Sequence, residues 1–424
     1  MIKEKVQQIF NSSLMKSSSV YTLANMMNAA IPFFMLPILT RYLTPADYGI
    51  VSMFTVIIGF LIPLIGINIH GAINRQYFEK EVDISKYITT GLLFLIGNSV
   101  VFSLLIWLLA GPISNLTSFP KEWLWAALLV AIAQVVFQIT LVMWQVRVKP
   151  IPFGVFQVTQ TTLNVGLSLW FIVLLGFDWQ GRIQGQTIAF TLAGFFGLII
   201  LIKDGWVKVG FEVKYLKNLF SFGLPLIPHA LGTFIITMSD RLFITNMIGV
   251  AETGIYTVGY QIGMIIMIIQ DSFNKAWVPW FYNALKKNDE ALKIKIIKIT
   301  YSYYVLIIIF ALMLSVLSPW LITYFIGDSF RNASQFVFWV ALGYAFNGMY
   351  KMVTNYIFFI QKTYLLAWLT FLTASLNVIF NYFLIKMNGS IGAAQSTTLA
   401  FLVSFILTWL LASKLYRMPW SLKS

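Results

Sequence analysis

The chain is 424 residues long; 59% of its residues are hydrophobic and only 10% are charged. Soluble domains carry roughly 25% charged residues, so the composition excludes a soluble protein. The 29 Lys and Arg residues outnumber the 15 Asp and Glu residues, giving a net charge of +14. These bases lie in short gaps between apolar stretches, which is typical of membrane topology signals rather than of a nucleic-acid interface. The absence of Cys excludes disulfides and thiolate zinc sites.

Apolar stretches of about 20 residues, the length that crosses the hydrocarbon core, recur along the chain. We predict that all are helices, because a helix satisfies its own backbone hydrogen bonds in lipid, whereas barrel strands would alternate polar and apolar residues. The predicted fold is an all-α polytopic membrane protein with twelve transmembrane helices. The predicted spans are residues 20–40, 48–71, 87–110, 122–144, 153–176, 185–203, 219–246, 254–276, 298–318, 333–355, 364–385 and 392–413.

The basic residues predict the orientation of these spans. When the N-terminus is placed in the cytoplasm, most Lys and Arg residues fall in cytoplasmic segments, as the positive-inside rule requires. Both termini are therefore predicted to be cytoplasmic. The first 19 residues contain no signal-peptide core or cleavage pattern, so we expect a retained segment. No connection between spans is long enough for a soluble catalytic domain.

The second half of the sequence repeats the first at an offset of about 205 residues. Ala46-Asp47-Tyr48-Gly49-Ile50 matches Ala251-Glu252-Thr253-Gly254-Ile255, and Asn164 matches Asn377 within a shared Leu-Asn-Val motif. Two six-helix lobes in a parallel repeat are a transporter design, in which the lobes move around a site at their interface. Gene duplication in a structural or enzymatic membrane protein is the alternative. The predicted parts are an N-terminal segment (1–19), an N-lobe (20–203), a cytoplasmic linker (204–218), a C-lobe (219–413) and a cytoplasmic tail (414–424).

Short motifs near the starts of the two lobes give a family resemblance. The first motif comprises Pro32, Pro37, Arg41, Leu43, Asp47 and Gly49, and further matches are Arg75-x-Tyr77, Pro225 and Pro228 after Gly223, Asp240-Arg241, and Gly254-Ile255-Tyr256. With these motifs the chain resembles the polysaccharide-transporter flippases, the Wzx-like branch of the MOP superfamily, which are relatives of the MATE drug exporters.

The resemblance implies a function at the bacterial cytoplasmic (inner) membrane. A flippase of this kind moves an undecaprenyl-diphosphate-linked oligosaccharide, such as an O-antigen or capsule repeat unit, from the cytoplasmic to the outer leaflet. Its expected partners are the lipid-linked oligosaccharide, membrane lipids and other glycan-assembly proteins, and no nucleic acid. No cofactor is expected, although H⁺ or Na⁺ coupling fits transport of this kind.

Ionisable side chains inside the predicted spans are candidates for the site, because a charge in hydrocarbon is costly unless it meets a partner or water. We predict a cationic cavity that binds the diphosphate through His70, Arg75, Arg241, Lys275 and Lys351. The repeat places Lys275 at the position of His70. The alternative for the bases near span ends is snorkelling to the headgroups.

Two acidic residues also lie within the predicted spans. Asp240 and Asp271 are candidates for ion coupling. Asp271 is one turn from Lys275, a spacing that favours an ion pair between them. Asp240 and Arg241 point about 100° apart on a helix, so they need not pair with each other, and a structural pair with a neighbouring helix is the alternative. His229, which follows two prolines, is predicted to be a structural histidine.

Prolines predict bends at equivalent places in the two lobes. Pro32 and Pro37 lie in the first span, and Pro225 and Pro228 lie in the seventh. Each removes a backbone hydrogen bond and permits a bend. Bendable helices suit lobes that open on one face and then the other, although proline is common in membrane helices generally.

Two other function classes compete with the flippase. A membrane-embedded glycan polymerase or ligase needs carboxylates or a metal in a water-facing loop, but the sequence contains neither an Asp-x-Asp motif nor a phosphate-binding Gly-x4-Gly-Lys-Ser/Thr loop. We therefore predict that the protein is not an enzyme. A MATE-type multidrug exporter would favour buried acids for cationic drugs, whereas bases outnumber acids in these spans.

Overall fold

The computed structural model describes residues 13–362 and 364–421, and these ranges are helical with short connections. Most of the predicted segment 1–19 and the end of the predicted tail 414–424 therefore lie outside the described residues. The first half contains α1 (Ser13–Tyr42), α2 (Pro45–Gly66), α3 (Ile69–Gln76), α4 (Ile84–Thr117), α5 (Leu124–Val146), α6 (Pro150–Leu169) and α7 (Trp179–Lys203). The second half contains α8 (Val213–Gly223), α9 (Ile227–Met247), α10 (Val250–Gly263), α11 (Ile265–Lys286), α12 (Glu290–Phe325), α13 (Ser334–Phe359), α14 (Tyr364–Asn388) and α15 (Ile391–Leu415).

Each predicted span overlaps one or two of these helices. Ten helical stretches of the described chain are long and apolar enough to cross a membrane. α6 and α13 do not meet this criterion. Both contain polar side chains that other helices bury, including Gln160 and Asn164 in α6 and Asn355 in α13. A helix enclosed by protein does not have to be uniformly apolar. The all-α membrane fold is confirmed, and the twelve-span topology stays a prediction.

The helix breaks follow some of the predicted prolines. A 3₁₀ turn over Leu224–Leu226 contains Pro225 and separates α8 from α9, whose first turn contains Pro228. α1, by contrast, continues through Pro37. The side chain of Pro32 lies outside the described part of the structure.

The described part of Met1–Leu43 and Met53–Leu231 forms one compact unit, called unit 1. α5 packs against α3, α4, α6 and α7. α1 packs on α6 through polar pairs: Gln157 Nε2 donates to Asn25 Oδ1 at 3.3 Å, and the Thr161 hydroxyl donates to Asn28 Oδ1. These pairs satisfy polar groups that would be costly in lipid.

The predicted linker 204–218 docks on the start of α4 in unit 1. The Tyr87 hydroxyl donates to Asn218 Oδ1 at 2.8 Å, and Lys86 Nζ lies 3.3 Å from Glu212 Oε1. Lys214 Nζ lies 3.2 Å from the other Glu212 oxygen. The hydrogen bond from Lys214, with that from Lys86, holds the pKa of the Glu212 carboxyl below its usual value.

The described part of Thr44–Ser52 and Gly232–Ser424 forms the second compact unit, called unit 2. α13 packs against α10, α11, α12 and α15, and its residues Phe336, Val340 and Tyr344 lie in the core. The boundaries between the units fall between α1 and α2, inside α2 and inside α9. The lobe bounds 20–203 and 219–413 stay predictions.

The repeated turn motif has a packing role within unit 2. A Cβ on Gly49 would lie 1.9 Å from the carbonyl oxygen of Val250, and a Cβ on Gly254 would lie 1.9 Å from that of Pro45. Asp47 caps its own helix, because the backbone N–H of Thr44 donates to Asp47 Oδ2 at 3.0 Å. Asp47, Gly49 and Gly254 therefore hold two helix starts together.

We expect Gly254→Ala to lower the thermal midpoint of the purified protein and its level in the membrane. The added methyl group would overlap backbone, which cannot move as a side chain can, and overpacking of this kind destabilises proteins by roughly 1–3 kcal/mol. Size-exclusion thermostability measures the effect. Gly97→Ala is the matched control, because no atom lies within 4 Å of its Cβ position; equal midpoints in the two variants would contradict the packing role.

Candidate functional site

A cavity of about 340 Å³ lies in unit 1, where α2, α3 and α5 meet the break between α8 and α9. Both histidines of the chain, His70 and His229, line it, with the amides of Asn68 and Gln138. The other lining residues are glycine, proline, alanine or aliphatic. The sequence predicted a binding role for His70 alone, and the structure places His229 at the same cavity.

The chain is locally strained beside this cavity. Ile67 and Asn68, between α2 and α3, have φ values of 39° and 52°. Left-handed backbone is a genuine outlier for a β-branched residue, and such positions cost about 1–3 kcal/mol each. Gly223 packs on the same turn, since a Cβ there would lie 2.1 Å from the Ile67 carbonyl oxygen. The break turns the chain so that His70, at the start of α3, lines the cavity.

Arg75 lies further along α3 and is exposed. Its guanidinium carbon is 5.9 Å from the ring centroid of Phe222, the residue before Gly223. Arg75 and His70 therefore share one short helix beside the α8–α9 break.

Asp240 and Arg241 form a buried ion pair in unit 2. Asp240 is 0% exposed and Arg241 is 4% exposed. Arg241 Nη1 donates to Asp240 Oδ1 at 3.0 Å and the Arg241 backbone N–H donates to the same oxygen at 2.8 Å. The expectation that these neighbours need not pair is corrected: a long guanidinium side chain can fold back to the adjacent carboxylate, whatever the angle between the Cα–Cβ bonds.

Tyrosines enclose this pair. The Tyr256 hydroxyl donates to Asp240 Oδ2, and the Arg241 guanidinium carbon lies 4.3 Å from the Tyr260 ring centroid. The hydroxyls of Tyr260 and Tyr344 are 2.8 Å apart. Both carboxylate oxygens are therefore engaged, and the guanidinium faces an aromatic ring. In this conformation neither charge is available to a ligand without rearrangement.

Asp271 pairs with Lys351 across α11 and α13. The sequence favoured a pair between Asp271 and Lys275 on the same helix, and the structure corrects this choice of partner. The pair is partly open, with side-chain exposures of 43% for Asp271 and 29% for Lys351. Gln270 Nε2 donates to Asn347 Oδ1 at 3.0 Å one turn away on α13. The facing sides of these helices are therefore polar.

Lys275 is exposed on α11, one turn after Asp271. The helix continues for three turns beyond it, to Lys286, whereas the predicted span ends at residue 276. The Lys275 ammonium group thus lies well inside a long helix rather than at its end.

A neutral polar cluster in unit 2 was not predicted from the sequence. The Ser239 hydroxyl donates to Asn377 Oδ1 at 3.1 Å, and Asn377 Nδ2 donates to Ser396 Oγ at 3.3 Å. Asn381 Nδ2 donates to Asn377 Oδ1 at 3.2 Å, while Asn381 Oδ1 is buried with no partner within the protein. The sequence match between Asn164 and Asn377 was a signal that both side chains have a role in packing. In unit 1, Asn164 accepts a hydrogen bond from Arg182 Nη1 at 2.7 Å.

The remaining motif residue of the first helix is Arg41, which is exposed in the last turn of α1. Within residues 13–362 and 364–421, no three His, Asp or Glu side chains are grouped so that they could hold a metal ion.

We expect Arg241→Met to destabilise unit 2, because it leaves Asp240 buried without its counter-charge. Breaking a buried pair on one side costs about 3–5 kcal/mol, whereas replacing both partners with apolar residues is often neutral. The Asp240→Leu/Arg241→Met double variant should therefore regain most of the lost thermal stability. Equal midpoints in the single and double variants would contradict the pair's structural role.

The Asp271–Lys351 pair is the comparison for the buried Asp240–Arg241 pair, because its side chains are partly exposed. Because this pair is only partly enclosed by the protein, Lys351→Gln should lower the thermal midpoint far less than Arg241→Met does, in line with the roughly 0–1 kcal/mol of exposed pairs.

Comparisons with known proteins agree with this architecture. A family model described as "Polysaccharide biosynthesis protein" matches residues 14–285. A Haemophilus influenzae protein named "Uncharacterized membrane protein" is 26% identical over 361 residues, which are 83% of this chain and 85% of that protein.

Two solved structures share the fold. The lipid II flippase MurJ, in an inward closed conformation, matches with a TM-score of 0.76 at 16% identity, covering 93% of this chain and 87% of that one. An inward-facing MATE multidrug transporter of the MOP superfamily matches with a TM-score of 0.66 at 16% identity, covering 93% and 94%. The predicted MATE-like fold is thus confirmed. The chain is a multi-pass membrane protein with this fold, and it belongs to the polysaccharide biosynthesis protein family.

Proposed function

We propose that the protein is a flippase that moves an undecaprenyl-diphosphate-linked oligosaccharide from the cytoplasmic to the outer leaflet of the bacterial inner membrane. It does so by alternating access of two six-helix lobes, with twelve spans and both termini in the cytoplasm. Family membership and the fold support transport as the class of function. The transported unit would belong to an O-antigen, a capsule or a similar glycan, and no chemical step on the substrate is required.

The observation that carries this proposal is the exposed Lys275 within α11, one turn after Asp271, whose ion-pair partner is the partly exposed Lys351 on α13. A charge at such a position is stable only where water or a counter-ion reaches it. An anionic headgroup entering from the cytoplasmic side supplies that counter-ion. In unit 1, Arg75 adds a cationic group on α3, and His70 on the same helix adds an imidazole that can donate a hydrogen bond. The diphosphate is therefore the part of the substrate that these residues would bind.

The ion pairing of the two intramembrane acids, Asp240 and Asp271, argues against a multidrug exporter. A site for cationic drugs needs a carboxylate whose charge is not already balanced. Asp240 is paired with Arg241 and Asp271 with Lys351. The bases Lys275 on α11 and Arg75 on α3 have no such neutralising partner among the ion pairs of the described residues. The charge balance favours an anionic substrate.

Of the two acids, Asp271 is the better candidate for H⁺ or Na⁺ coupling. Its side chain is 43% exposed, whereas Asp240 is fully enclosed. A cation that binds Asp271 would release Lys351 to the substrate. This exchange would link ion binding to headgroup binding through one carboxylate.

We expect Lys275→Ala to reduce surface glycan at least tenfold in cells that depend on this chain, with a normal protein level in the membrane. A hydrogen bond to a charged group contributes about 1.5–3 kcal/mol, and 1.4 kcal/mol is a factor of ten. Lipid-linked oligosaccharide should accumulate on the cytoplasmic leaflet, which separates a transport defect from a synthesis defect.

Lys275→Arg should restore part of the glycan because it restores the charge. Lys286→Ala is the matched control, since Lys286 is exposed at the end of the same helix. Intact glycan in the Lys275→Ala strain, or equal loss in the control, would refute a headgroup-binding role for Lys275.

Asp271→Asn should abolish any stimulation of transport by an imposed H⁺ or Na⁺ gradient in proteoliposomes while substrate binding persists. The amide keeps the shape of the carboxyl group but cannot exchange a cation. Gradient-driven transport that matches the unsubstituted protein would exclude Asp271 as the coupling residue.

A further inference from the structure

We propose that the linker 204–218 carries a membrane-binding surface, and that its partner is the interface of an anionic phospholipid leaflet. The surface, called the linker edge, consists of the apolar side chains of Val209, Phe211 and Val213 together with the lysines that flank them. This inference goes beyond the proposed function, because it concerns the bulk bilayer and not the transported substrate.

The linker alternates between side chains that face the protein and side chains that do not. Glu212 has extended backbone, with φ −121° and ψ 118°, and successive side chains of an extended chain point in opposite directions. The Glu212 carboxylate lies 3.3 Å from Lys86 Nζ on α4, and a Cβ on Gly210 would lie 3.8 Å from the Lys86 side chain. Gly210 and Glu212 therefore face α4, and the residues that alternate with them point away from it.

The side chains that point away are apolar and uncovered. Val209 is fully exposed, and Phe211 and Val213 are 50% and 57% exposed. Contiguous exposed apolar side chains mark a contact with a protein or with a membrane. The chain enters the linker from α7 and leaves it through α8, and both helices belong to stretches long and apolar enough to cross a membrane. A bilayer is therefore the apolar surface nearest to the linker edge.

The charges of this segment match an anionic leaflet. Its acids already have partners in the protein, because Asp204 pairs with Arg147 at 3.0 Å and Glu212 pairs with Lys86 and Lys214. Three exposed lysines flank the apolar side chains: Lys203, Lys208 and Lys217. None of these three takes part in an ion pair within residues 13–362 and 364–421. Apolar side chains beside unpaired lysines are typical of segments that lie in the interface of an anionic bilayer.

Contacts with α4 hold the linker in place for this role. The Lys208 backbone N–H donates to Thr89 Oγ1 at 3.0 Å, and the Glu212 backbone N–H donates to Thr90 Oγ1 at 3.3 Å. Both threonines lie near the start of α4, which is itself a candidate membrane span. The linker is thus fixed beside the end of a span, and its insertion requires no further ordering of the backbone, which favours binding.

The connection between α11 and α12 has a different composition. Its sequence is Lys286-Lys287-Asn288-Asp289-Glu290, and all five residues are exposed. Like the linker, this connection is predicted to be cytoplasmic, but it contains no apolar side chain that could enter a leaflet. It therefore provides control positions that should stay in water.

Single-cysteine labelling tests the proposal, because the chain contains no native Cys. Full-length Val209→Cys protein is labelled with an environment-sensitive nitrobenzoxadiazole dye and reconstituted in nanodiscs of phosphatidylcholine and phosphatidylglycerol. Iodide quenches the dye from water, and nitroxide-labelled lipids quench it from the bilayer. We expect several-fold weaker iodide quenching in Val209→Cys than in Lys287→Cys, and strong quenching by the nitroxide lipids in Val209→Cys alone.

The two quenchers together identify what covers the linker edge. Iodide quenching of Val209→Cys equal to that of Lys287→Cys would place the edge in water and overturn the proposal. Weak iodide quenching without lipid quenching would show that a protein surface covers the edge, from a second copy or another partner, and would overturn it too. Phe211→Cys repeats the measurement on the same edge if Val209→Cys lowers the protein level.

Lipid composition tests the role of the lysines. In phosphatidylcholine alone, the Val209→Cys label should be several-fold more accessible to iodide than with phosphatidylglycerol present. Added to Val209→Cys, the triple change Lys203→Gln/Lys208→Gln/Lys217→Gln should remove this difference. The matched change Lys286→Gln/Lys287→Gln/Lys298→Gln, which removes exposed bases elsewhere, should keep it.

Two results would overturn the anionic part of the proposal. One is equal iodide quenching in the two lipid compositions, and the other is an undiminished effect of phosphatidylglycerol in the triple variant. None of these measurements requires transport, so their outcome does not depend on the flippase function.

Discussion

A polar group in the hydrocarbon core must find its partner inside the protein, and this constraint determines most of what the structure shows. It makes every span a helix, because the backbone has no other way to satisfy its hydrogen bonds. It also explains the enclosure of Asp240 and Arg241, whose charges are balanced by each other and whose remaining groups contact Tyr256, Tyr260 and the Thr237 carbonyl. Where a partner is lacking, as at Lys275, the side chain is exposed instead, and such a position is stable only if it meets water or a ligand.

The same constraint is met in both halves of the chain with related residues. Asn164 on α6 accepts from Arg182 on α7, while its repeat equivalent Asn377 on α14 exchanges hydrogen bonds with Ser396 on α15. In each half an Asn of the fifth predicted span thus joins the helix that follows it. In unit 1 the partner of this asparagine is the Arg182 cation, whereas in unit 2 it is the neutral Ser396 hydroxyl. Asn381 Oδ1, in the same cluster of unit 2, has no partner within the protein. The two matched asparagines therefore make the same kind of contact with the following helix, but with partners of different charge.

The sequence was a good guide to features that depend on one segment, and a poor one to features that depend on which helices meet. Span positions follow from local apolar length, and the turn of Asp47 and Gly49 was visible as a repeated motif. The partner of Asp271 was misjudged, because the i, i+4 spacing to Lys275 is local whereas Lys351 is brought near only by the packing of α11 on α13. His229 was predicted to be a structural histidine, and this stays a prediction. Its place at the same cavity as His70 depends on the break after Gly223, and no spacing in the sequence reveals it.

The two units differ in which charged and polar side chains they contain and in how these are paired, and the difference bears on transport. Both intramembrane acids of unit 2 are already paired, one in the sealed Asp240–Arg241 pair and the other in the partly open Asp271–Lys351 pair, while Lys275 has no ion-pair partner among the described residues. The cavity of unit 1 is lined instead by two imidazoles and two amides, with no Lys, Arg, Asp or Glu among its lining residues. A transporter must release its substrate as well as bind it, and a ligand shifts a conformational equilibrium only through unequal affinity for the two states. Fixed cations weaken their hold on a diphosphate only where the two states place them at different distances from it. A carboxylate that competes for Lys351 gives the protein a way to weaken its hold on an anion, so Asp271 matters to the proposed cycle as much as the bases do.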